Sequence, residues 1–570
     1  MSEGEKVVLE VLGLATIARA GMIGPEPPLR LAEMALALKR FGPVGGGIVA
    51  AAIRHGDQFG LIDERGPLSF RELNLRSNAL ADALAAEGLG DGTTIGVLCR
   101  NHRGLLDATF AGAKAGYRIL YLNTDFAAPQ ARDVCAREGV EALIVDEEFL
   151  PIVADVEASA GRFIAWTDGP ASLGTLDSLI SMGDTKGRPA PSQPGAMVML
   201  TSGTTGTPKG ARRSLPRSLA MAGAVLSKIP YRGREAVYVV PPMFHSWGLF
   251  SGLLTIGTGS TLLISRRFDP AAVLDAVALH HCTGLVVVPA MINRMLALED
   301  GGPASRDLSA LRFMATSGAR LEGALASRAM DAFGDVLYNL YGSTEVAYAT
   351  IATPEDMRAA PGCVGRPPAG TSVRLFDRPG IEVAPGETAR IFVGNGLGFS
   401  GYTGGGTKES IDGLLSTGDV GHFDGDGRLF VDGRDDEMIV SGGENVFPGE
   451  VEELLAGHPG ISEASAVGVP DPDHGQRLIA YVVPTTPSGL TATEVKSYVR
   501  SNLARFKVPR EVFFVEQLPR NPTGKVLKRH LLAHHAAADA TADGAVDGAV
   551  DGAADATADG AVDGAVGVEG

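Results

Sequence analysis

Short runs of apolar residues alternate with helical patterns through the first two-thirds of the chain. Four of these runs are rich in β-branched residues: IGVLC at 95–99, EALIVD at 141–146, AVYVVP at 236–241 and GLVVVP at 284–289. Short, continuous apolar strands between helices are typical of parallel sheets that are covered on both faces. The pattern therefore predicts an α/β architecture for this part of the chain.

The pattern changes beyond residue 360. Between 361 and 431, glycines and prolines are closely spaced around short alternating strands such as SVRLF and ARIFVG, which favours a small barrel or hairpin region. The segment HFDGDGRLFVDGR at 422–434 is predicted to form a hairpin with an Asp-Gly turn. A further mixed α and β unit of about a hundred residues follows, which is large enough to fold alone. A domain boundary is therefore placed between 434 and 435.

The two ends of the chain differ from this pattern. Residues 1–50 form an N-terminal extension without a recognisable motif. Within it, 7–23 is interpreted as a buried or interfacial helix, and the alternative is an amphipathic helix that contacts a membrane surface. At the other end, 534–570 repeats Asp-Gly-Ala-Val with an Asp at every fourth position, so that like charges would stack in a helix. This segment is expected to be a disordered acidic tail.

Composition and charge narrow the class of protein. The formal net charge of −17 argues against a nucleic-acid partner, because such proteins carry a basic face. The four cysteines lie far apart and predict reduced thiols instead of a zinc site. No apolar run reaches the roughly 20 residues that a transmembrane helix needs, and the start of the chain is acidic, unlike a signal peptide. A cytoplasmic protein is expected, with membrane association left open.

A cluster of glycines and hydroxyl residues surrounds one lysine in TSGTTGTPKG at 201–210, directly after the strand-like run MVML. Open α/β sheets bind ligands at the carboxyl ends of their strands. Glycines let backbone N–H groups approach an anion, and hydroxyls add donors, so the segment indicates a phosphate-binding loop. It is not a Walker loop, because Pro208 precedes the lysine and Gly210 follows it. The residues expected to hold phosphate are Thr201, Ser202, Gly203, Thr204, Thr205, Gly206 and Lys209.

Four further motifs follow in order: YGSTE at 341–345, STGD at 416–419, GRDDEMIVSGGENVFPGEVE at 433–452 and PRNPTGKVLKR at 519–529. Together with the phosphate loop they resemble the adenylate-forming superfamily of acyl-CoA synthetases, peptide-synthetase adenylation domains and luciferases, over roughly 59–532. The resemblance implies a large N-terminal domain of two α/β sheet subdomains plus a small β-barrel, then a smaller mobile α+β domain. It places the adenylation domain at 51–434 and the mobile domain at 435–533.

The resemblance also implies roles for individual residues. Such enzymes join a carboxylate to ATP and then transfer the acyl group to a thiol, so ATP, Mg²⁺ and coenzyme A are implied. Glu345 would bind Mg²⁺, a hard cation that prefers carboxylate oxygen, and Asp419 would accept both ribose hydroxyls. The implied catalytic residues are Lys525, Lys209, Thr344 and Glu345, and the implied nucleotide contacts outside the phosphate loop are Ser317, Gly318, Ala319, Tyr341, Gly342, Asp419 and Arg434.

The C-terminal domain of relatives swings between the two steps of the reaction. In this chain Lys525 would neutralise charge while the adenylate forms, and would then leave the site. Asp436 matches the hinge position of the family. Gly442 and Gly443 would leave room for a thin pantetheine arm. This two-state behaviour is implied by the resemblance and not by the spacing of the residues.

The segment PMFHSWGLFSGLL at 242–254 resembles the start of the acyl pocket, with His245 at its mouth. Trp247 would gate or floor the pocket, and ordinary core packing is the alternative. No Asp stands where an amino-acid-activating relative would need one, which favours an uncharged acyl chain. The expected function is a medium- or long-chain fatty acyl-CoA synthetase that acts on a carboxylic acid and CoA.

Three other functions are kept as alternatives. They are a fatty acyl-AMP ligase that loads an acyl-carrier protein, an aryl-acid CoA ligase, and an inactive acyl- or nucleotide-binding module. The segment GYTGGGTKES at 401–410 departs from the family pattern and is assigned no part in the chemistry.

Overall fold

The computed structural model describes residues 3–200, 210–213, 220–378, 380–396, 399–403, 405–435, 437–441, 444–471, 475–485, 489–522 and 524–535. Its helices are α1 (Glu3–Arg19), α2 (Pro28–His55), α3 (Phe70–Ala86), α4 (Arg103–Ala115), α5 (Ala128–Glu138), α6 (Leu176–Met182), α7 (Ala220–Leu226), α8 (Ser246–Gly257), α9 (Pro270–Leu279), α10 (Pro289–Leu296), α11 (Gly323–Phe333), α12 (Pro354–Ala359), α13 (Pro448–Ala456) and α14 (Ala492–Asn502). The strands of the N-terminal two-thirds are β1 (Phe59–Asp63), β2 (Gly66–Ser69), β3 (Thr94–Leu98), β4 (Arg118–Tyr121), β5 (Ala142–Asp146), β6 (Arg162–Trp166), β7 (Ala196–Leu200), β8 (Gly210–Arg213), β9 (Ala236–Val239), β10 (Thr261–Leu263), β11 (Gly284–Val287), β12 (Phe313–Thr316), β13 (Leu337–Tyr341) and β14 (Thr350–Ala352). The remaining strands are β15 (Ser372–Phe376), β16 (Ala389–Gly394), β17 (Phe399–Tyr402), β18 (Ser410–Ile411), β19 (Leu414–Phe423), β20 (Leu429–Arg434), β21 (Ile439–Ser441), β22 (Glu444–Val446), β23 (Ile461–Asp471), β24 (Gly475–Pro484) and β25 (Glu511–Phe514).

Two large, mainly parallel sheets form the first two-thirds of the fold. Sheet I has the strand order β14-β13-β12-β11-β9-β10-β1-β2, and its two edge strands β14 and β2 run antiparallel to their neighbours. Sheet II has the order β17-β8-β7-β4-β3-β5-β6, with β7 to β6 parallel and β8 and β17 antiparallel. The α/β architecture predicted from the apolar runs is confirmed.

Two smaller sheets complete the fold. Sheet III is antiparallel, and its long strand β19 pairs with β16, β18 and β20. The predicted hairpin at 422–434 is confirmed as the connection between β19 and β20. Sheet IV belongs to the C-terminal unit, where β24 lies between β23 and β25 and also contacts β21. Helices α13 and α14 pack against this sheet around a separate apolar core.

Local sequence signals explain where many helices begin. Ser69 and Glu72 form a capping box at the start of α3, in which each side chain accepts the other residue's backbone N–H. Thr491 and Glu494 do the same at the start of α14. Proline occupies the first turn of α5, α9, α10 and α13. Backbone N–H groups in the first turn have no acceptor within the helix, so the lack of an N–H in proline costs no hydrogen bond there.

The N-terminal extension forms α1 and the long helix α2. Gly42, with φ of 70°, and Pro43 interrupt the helical geometry of α2 and divide it into two halves. The second half carries most of the buried residues, among them Ile48 and Ala51, and α2 packs against α3, α4 and α8. Helix α2 is long and apolar enough by composition to cross a membrane. Its second half serves instead as a core element of the N-terminal domain.

Candidate active site

Three neighbouring parallel strands of sheet I end at one edge of the sheet. Val287 of β11 lies beside Thr316 of β12, and Thr316 lies beside Asn339 of β13. The residues that close or follow these strands, including Tyr341 and Ser317, therefore share that edge. The carboxyl ends of parallel strands are where open α/β sheets bind ligands. The fold thus brings the predicted nucleotide contacts of β12 and β13 together.

A hydrogen-bonded group links this edge to sheet III. The Tyr341 hydroxyl donates to Oδ2 of Asp419 at 2.6 Å. Asp419 pairs in register with Arg434 on β20, whose Nη1 donates to Oδ1 of Asp419 at 3.1 Å. Burial raises the pKa of Asp419, while the Arg434 charge and the Tyr341 hydroxyl oppose that rise. A carboxylate offers about four acceptor positions, so both oxygens keep room for further hydroxyl donors.

The turn that carries Lys525 lies against the start of α10. The Lys525 N–H donates to Oδ1 of Asn521 at 2.8 Å, and the Asn521 N–H donates to the Lys525 carbonyl at 2.9 Å. Gly524 has φ of +79°, and a Cβ at this position would lie 2.9 Å from Cβ of Ala290. The Lys525 charge acts to lower the pKa of Asp419. The C-terminal domain therefore brings its predicted lysine to the group formed by Tyr341, Asp419 and Arg434.

Glu345 is held by two hydroxyl donors. Tyr402 donates to Oε1 at 2.7 Å, and Ser343 donates to Oε2 at 2.9 Å. Burial acts to raise the pKa of Glu345, but these hydrogen bonds and the charge of Lys408 outweigh it and hold the pKa below its usual value. Glu345 is therefore an ionised, oriented carboxylate, the kind of oxygen donor that Mg²⁺ prefers. The residues present fit a magnesium ion at this position.

The turn that carries Glu345 is tightly closed. A Cβ on Gly342 would lie 2.2 Å from the Ala347 carbonyl oxygen, so that only glycine fits there without a shift of the backbone. Thr344 lies in this turn between Ser343 and Glu345. The structure thus places Gly342, Thr344 and Glu345 next to Tyr341, at the end of β13, as the sequence predicted.

The segment at 401–410 contributes to the site, so the expectation that it takes no part is wrong. Tyr402 reaches Glu345 because β17 pairs with β8, which follows the phosphate loop. Lys408 contributes the positive charge that acts on Glu345. Its Nζ lies 3.3 Å from where a Cβ on Gly418 would be. Sequence reasoning missed both residues because it weighed only the glycines between them.

The loop after β12 contains Ser317, Gly318, Ala319 and Arg320. Gly318 has φ of +87°, a region that favours glycine, while a Cβ there would meet only Val288 at an ordinary 3.7 Å. Glycine is therefore favoured at this position by the backbone conformation and not by a close contact with another part of the protein. Ser317 is buried, and Arg320 extends toward the C-terminal domain.

Several predicted residues lie outside the described part of the chain. They are Thr201, Ser202, Gly203, Thr204, Thr205, Gly206 and Lys209 of the phosphate loop, and Asp436, Gly442 and Gly443 of the C-terminal domain. The flanks of the loop are described: β7 ends at Leu200, and β8 begins at Gly210 and pairs antiparallel with β7. A Cβ on Gly210 would lie 2.7 Å from Oγ1 of Thr403, so the first residue after the loop is tightly packed. The strand predicted before the loop is confirmed.

The segment expected to begin the acyl pocket is fixed by a buried amide. Asn101 Nδ2 donates to the Pro241 carbonyl at 3.0 Å, and its Oδ1 accepts the Met243 N–H at 2.7 Å. His245 follows directly before α8, and burial lowers the pKa of its ring to about 4. The ring is therefore neutral at pH 7. Sequence reasoning missed Asn101, which stands alone between a strand and a helix and carries no motif.

Trp247 stands on the first turn of α8 in a fixed orientation. Its Nε1–H donates to the Val287 carbonyl at 3.0 Å. Its side chain packs against two buried apolar clusters, one that includes Val286 and Ala315 and one that includes Val287 and Met314. Val288, which follows Val287, lies against two turns. A Cβ added to Gly524 in the C-terminal domain would lie 3.5 Å from one of its methyl carbons, and a Cβ added to Gly318 in the loop after β12 would lie 3.7 Å from the other. The segment 242–254, which we name the acyl segment after its expected role, therefore meets the loop after β12 and the Lys525 turn around Val288.

A second buried group joins Cys99, His102 and Asp146 on sheet II. His102 Nδ1 accepts the Gly104 N–H at 3.1 Å, so its Nε2 carries the proton and donates to Asp146 at 2.7 Å. Both ring nitrogens are thus used within the protein. The Cys99 thiol is fully buried, and burial raises its pKa well above the usual range. The group holds the start of α4 in place and does not present a free ligand set to a metal.

Family models match most of this chain. The model described as AMP-binding enzyme matches residues 49–403. The chain belongs to the AMP-binding enzyme family. The companion model, AMP-binding enzyme C-terminal domain, matches residues 450–525 of this AMP-binding enzyme. The matched ranges contain the edge of sheet I, the phosphate-loop flanks and the Lys525 turn.

Individual relatives agree with the family. Feruloyl-CoA synthase from Amycolatopsis sp is 34% identical over 493 residues, covering 84% of this chain and 94% of the relative. Long-chain-fatty-acid–CoA ligase FadD13 from Mycobacterium tuberculosis is 28% identical over 477 residues, covering 82% of this chain and 93% of the relative. The crystal structure of ATP-bound MatB from Rhodopseudomonas palustris superposes with a TM-score of 0.77 at 26% identity, covering 85% of this chain and 98% of MatB. This AMP-binding enzyme is therefore an acid–thiol ligase of the adenylate-forming superfamily, whose CoA ligases use ATP, Mg²⁺ and CoA.

Proposed function

We propose that this AMP-binding enzyme activates an uncharged, apolar carboxylic acid with ATP and transfers the acyl group to coenzyme A, with a medium- or long-chain fatty acid as the first candidate. A carboxylate oxygen attacks the α-phosphorus, and the bond to pyrophosphate breaks. The thiol sulfur then attacks the acyl carbon, and AMP leaves with the bonding electrons. The products are acyl-CoA, AMP and diphosphate.

The observation that carries the substrate class is the neutral, apolar character of the acyl segment beside the adenylate-forming residues. His245 is uncharged at pH 7 because burial lowers its pKa to about 4. Trp247 and Val288 supply the other surfaces where this segment meets the Lys525 turn. Within the described residues, the segment 242–254 contains no carboxylate or ammonium that would bind a charged substituent of the acid. Burying a charge there without a partner would be costly.

The roles of the site residues follow from their positions. Lys525 would neutralise charge between the incoming carboxylate and the α-phosphate, since a flexible ammonium suits a point charge. Asp419 and Arg434 would hold the ribose, and Tyr341, pinned by its hydroxyl, would lie against the adenine. Glu345 would hold Mg²⁺, which supplies charge neutralisation for the phosphates. Positioning and electrostatic stabilisation are the main contributions that protein groups make to such a phosphoryl substitution.

An aryl acid is the second candidate, and the fixed Trp247 ring favours it. A tryptophan held by a hydrogen bond to Val287 and packed between two core clusters limits how far a chain can extend past it. A flat ring can stack or pack edge-on against such an indole. One relative, at 34% identity, is named for a feruloyl substrate, and another, at 28%, for long-chain fatty acids.

The test is ATP–pyrophosphate exchange with a panel of C6 to C18 fatty acids and of benzoates and cinnamates. Acyl-CoA formation is measured in parallel, with CoA and with an acyl-carrier protein bearing its phosphopantetheine arm. Exchange and acyl-CoA with fatty acids support the first candidate, and a preference for cinnamates or benzoates selects the second. Exchange without acyl-CoA, together with loading of the carrier protein, would transfer the acceptor role to that protein. Exchange with none of these acids would contradict the proposal.

The variant Trp247→Ala tests, in the same assay, whether the indole limits the length of the acyl chain. If the indole limits the pocket, its removal shifts the preferred fatty acid toward longer chains by several carbons. Trp166→Ala, at a tryptophan on sheet II outside the acyl segment, is the matched control and should leave the chain-length profile unchanged. A profile that does not move in Trp247→Ala would assign Trp247 to the core alone.

A further inference from the structure

The N-terminal helices present apolar side chains that the rest of the described chain does not cover. Seven of the sixteen large hydrophobic residues that are exposed in the described part lie on these two helices. In the half of α2 before Gly42, Ala37 is the only buried residue among 28–40. We name this set the N-terminal apolar surface: Val11, Leu12 and Leu14 of α1, with Leu29, Leu31, Leu36 and Leu38 of α2.

A cavity of about 590 Å³ lies where α1 ends and the chain turns toward α2. We name it the arginine cavity, because Arg19, Arg54, Arg232 and Arg234 line it together with the apolar side chains of Ile23 and Pro25. Its lining contains no carboxylate. The same opening thus combines guanidinium groups and apolar walls.

The arginines of the cavity differ in how they are held. The Arg54 side chain is only 7% exposed, and it donates to Glu26 at 3.2 Å and to the Gly21 and Met22 carbonyls at 2.9 and 2.7 Å. Arg19 and Arg232 are exposed and form no ion pair within the described part of the chain. Arg54 therefore shapes the wall of the cavity, while the exposed arginines present their charge outward.

One of the exposed arginines also sits in an unusual backbone conformation. Arg234 has φ of +66°, a left-handed value that costs a residue with a Cβ on the order of 1 kcal/mol or more. Nearby, a Cβ on Gly21 would lie 3.0 Å from Gly233 Cα, so the linker between the helices is closely packed on this loop. The fold thus holds Arg232 and Arg234 beside the end of α1.

Charge at this end of the molecule is opposite to that of the whole chain. Between 1 and 55, the range that holds both helices, there are six arginines and lysines and five glutamates, a balance of +1, whereas the chain as a whole carries −17. The acidic residues concentrate before 11, and the stretch 18–55 alone has a balance of +3. Glu26 is already paired with Arg54. Basic residues next to exposed leucines on helices are typical of surfaces that bind membranes containing anionic lipids.

We propose that the N-terminal apolar surface and the arginine cavity dock this enzyme on an anionic membrane surface. The leucines enter the boundary between headgroups and acyl chains, and the cavity binds the phosphate of an anionic lipid. Arginine suits this because its planar guanidinium matches phosphate geometry. A second copy of this chain fits less well, because copies would oppose like charges of Arg30, Lys39 and Arg40. The docking stands independently of which acid the enzyme activates.

The test uses the full chain and sedimentation with vesicles of phosphatidylcholine alone or with 30% phosphatidylglycerol. Binding is expected to the mixed vesicles and to weaken at least tenfold in 0.5 M NaCl. The variants Leu29→Ser/Leu36→Ser, one helical face seven residues apart, and Arg19→Ala/Arg232→Ala should each weaken it about tenfold. Matched controls are Leu279→Ser, at an exposed leucine of α9, and Arg132→Ala, at an exposed arginine of α5. ATP–pyrophosphate exchange with a soluble acid should remain unchanged in all four proteins.

Three results would overturn the proposal. They are equal binding to both kinds of vesicle, unchanged binding of the leucine and arginine variants, and no binding to either vesicle. Sedimentation equilibrium without lipid adds a fourth. A dimer that the Leu29→Ser/Leu36→Ser variant dissociates would assign the surface to a second copy of the chain.

Discussion

Arg320 Nη2 lies 2.5 Å from Oε2 of Glu453, and this ion pair joins the N-terminal domain to α13 of the C-terminal domain. The other oxygen of Glu453 accepts the Gly323 N–H at 3.1 Å. Arg320 Nη1 also donates to the Val431 carbonyl at 3.2 Å. One carboxylate oxygen of Glu453 is therefore held by the loop after β12, and the other by the first residue of α11. The pair stabilises the domain arrangement in which Lys525 lies near Asp419.

Replacing Arg320 with alanine is expected to slow adenylation more than thioester formation. Partly exposed ion pairs contribute up to about 1 kcal/mol, so pyrophosphate exchange should fall about fivefold. Thioester formation from a supplied acyl-adenylate should change less, since the role proposed for Lys525 is confined to adenylation. Arg358→Ala is the control, because Arg358 pairs with Asp331 and Asp335 within the N-terminal domain. Equal losses in both half-reactions would show that Arg320 supports general stability only.

The variant Gly524→Ala tests the seat of the Lys525 turn. The new Cβ would lie 2.9 Å from Cβ of Ala290, and the alanine would have to adopt the φ of +79° that Gly524 has. A left-handed residue with a Cβ costs on the order of 1 to 3 kcal/mol, so the turn should shift and exchange should fall about tenfold or more. ATP affinity, measured by calorimetry, should change little. In Ala290→Gly/Gly524→Ala the steric part is relieved, and exchange should recover in part; no recovery would place the whole effect in the backbone strain.

Tyr402→Phe removes one hydroxyl donor from Glu345. The pKa of Glu345 is held low by this hydrogen bond and by the one from Ser343, so its loss should raise that pKa. Since the ionised form is the one that would bind Mg²⁺ in the proposed role, the acidic limb of the exchange rate should move to higher pH by up to about one unit. The half-saturating Mg²⁺ concentration should rise as well. Tyr498→Phe, on α14, is the control. An unchanged pH profile would contradict a role of Tyr402 in holding the carboxylate.

Glu322 lies at the contact between the two domains, close to Glu453, and it should make the stability of the protein depend on pH. Burial, and then the Glu453 charge, raise the pKa of Glu322 to about 7. A carboxyl with a raised pKa keeps its proton in the folded state, so its contribution to stability declines as pH rises from about 4.5 to 7. Glu322→Gln should therefore stabilise the protein more at pH 7.5 than at pH 5, by up to about 3 kcal/mol. Melting temperatures of both proteins at the two pH values measure this. If the melting temperatures of the two proteins differ by the same amount at pH 5 and at pH 7.5, the raised pKa of Glu322 is contradicted.

The apolar runs predicted the sheet strands well, but their ends are shifted. The run at 95–99 is observed as Thr94–Leu98, and the run at 284–289 as Gly284–Val287. In the second case Pro289 cannot donate to a neighbouring strand and instead opens α10. The sequence of the N-terminal extension contains no recognisable motif. Its helix α2 is positioned by packing against α3, α4 and α8, and such packing depends on residues that are distant in the sequence.

Residues within motifs were found from the sequence, and contacts between distant segments were not. Tyr341, Asp419 and Arg434 stand in separate motifs, and the structure brings them together as predicted. The Tyr402 contact with Glu345 depends on the pairing of β17 with β8, and the Arg320 contact with Glu453 depends on how two domains meet. Such contacts join positions 57 and 133 residues apart, and no local pattern records them.

Three cations, Lys408, Arg434 and Lys525, act on the two carboxylates Glu345 and Asp419. The site is therefore locally positive inside a chain whose net charge is −17. An approaching nucleotide polyphosphate is repelled by the overall charge at a distance and attracted by the site once it is within about 8 Å, the Debye length at physiological ionic strength. The sign of the ionic-strength effect on nucleotide capture thus reports which field governs the encounter. Added salt slows capture if the local cations dominate, and speeds it if the overall charge does.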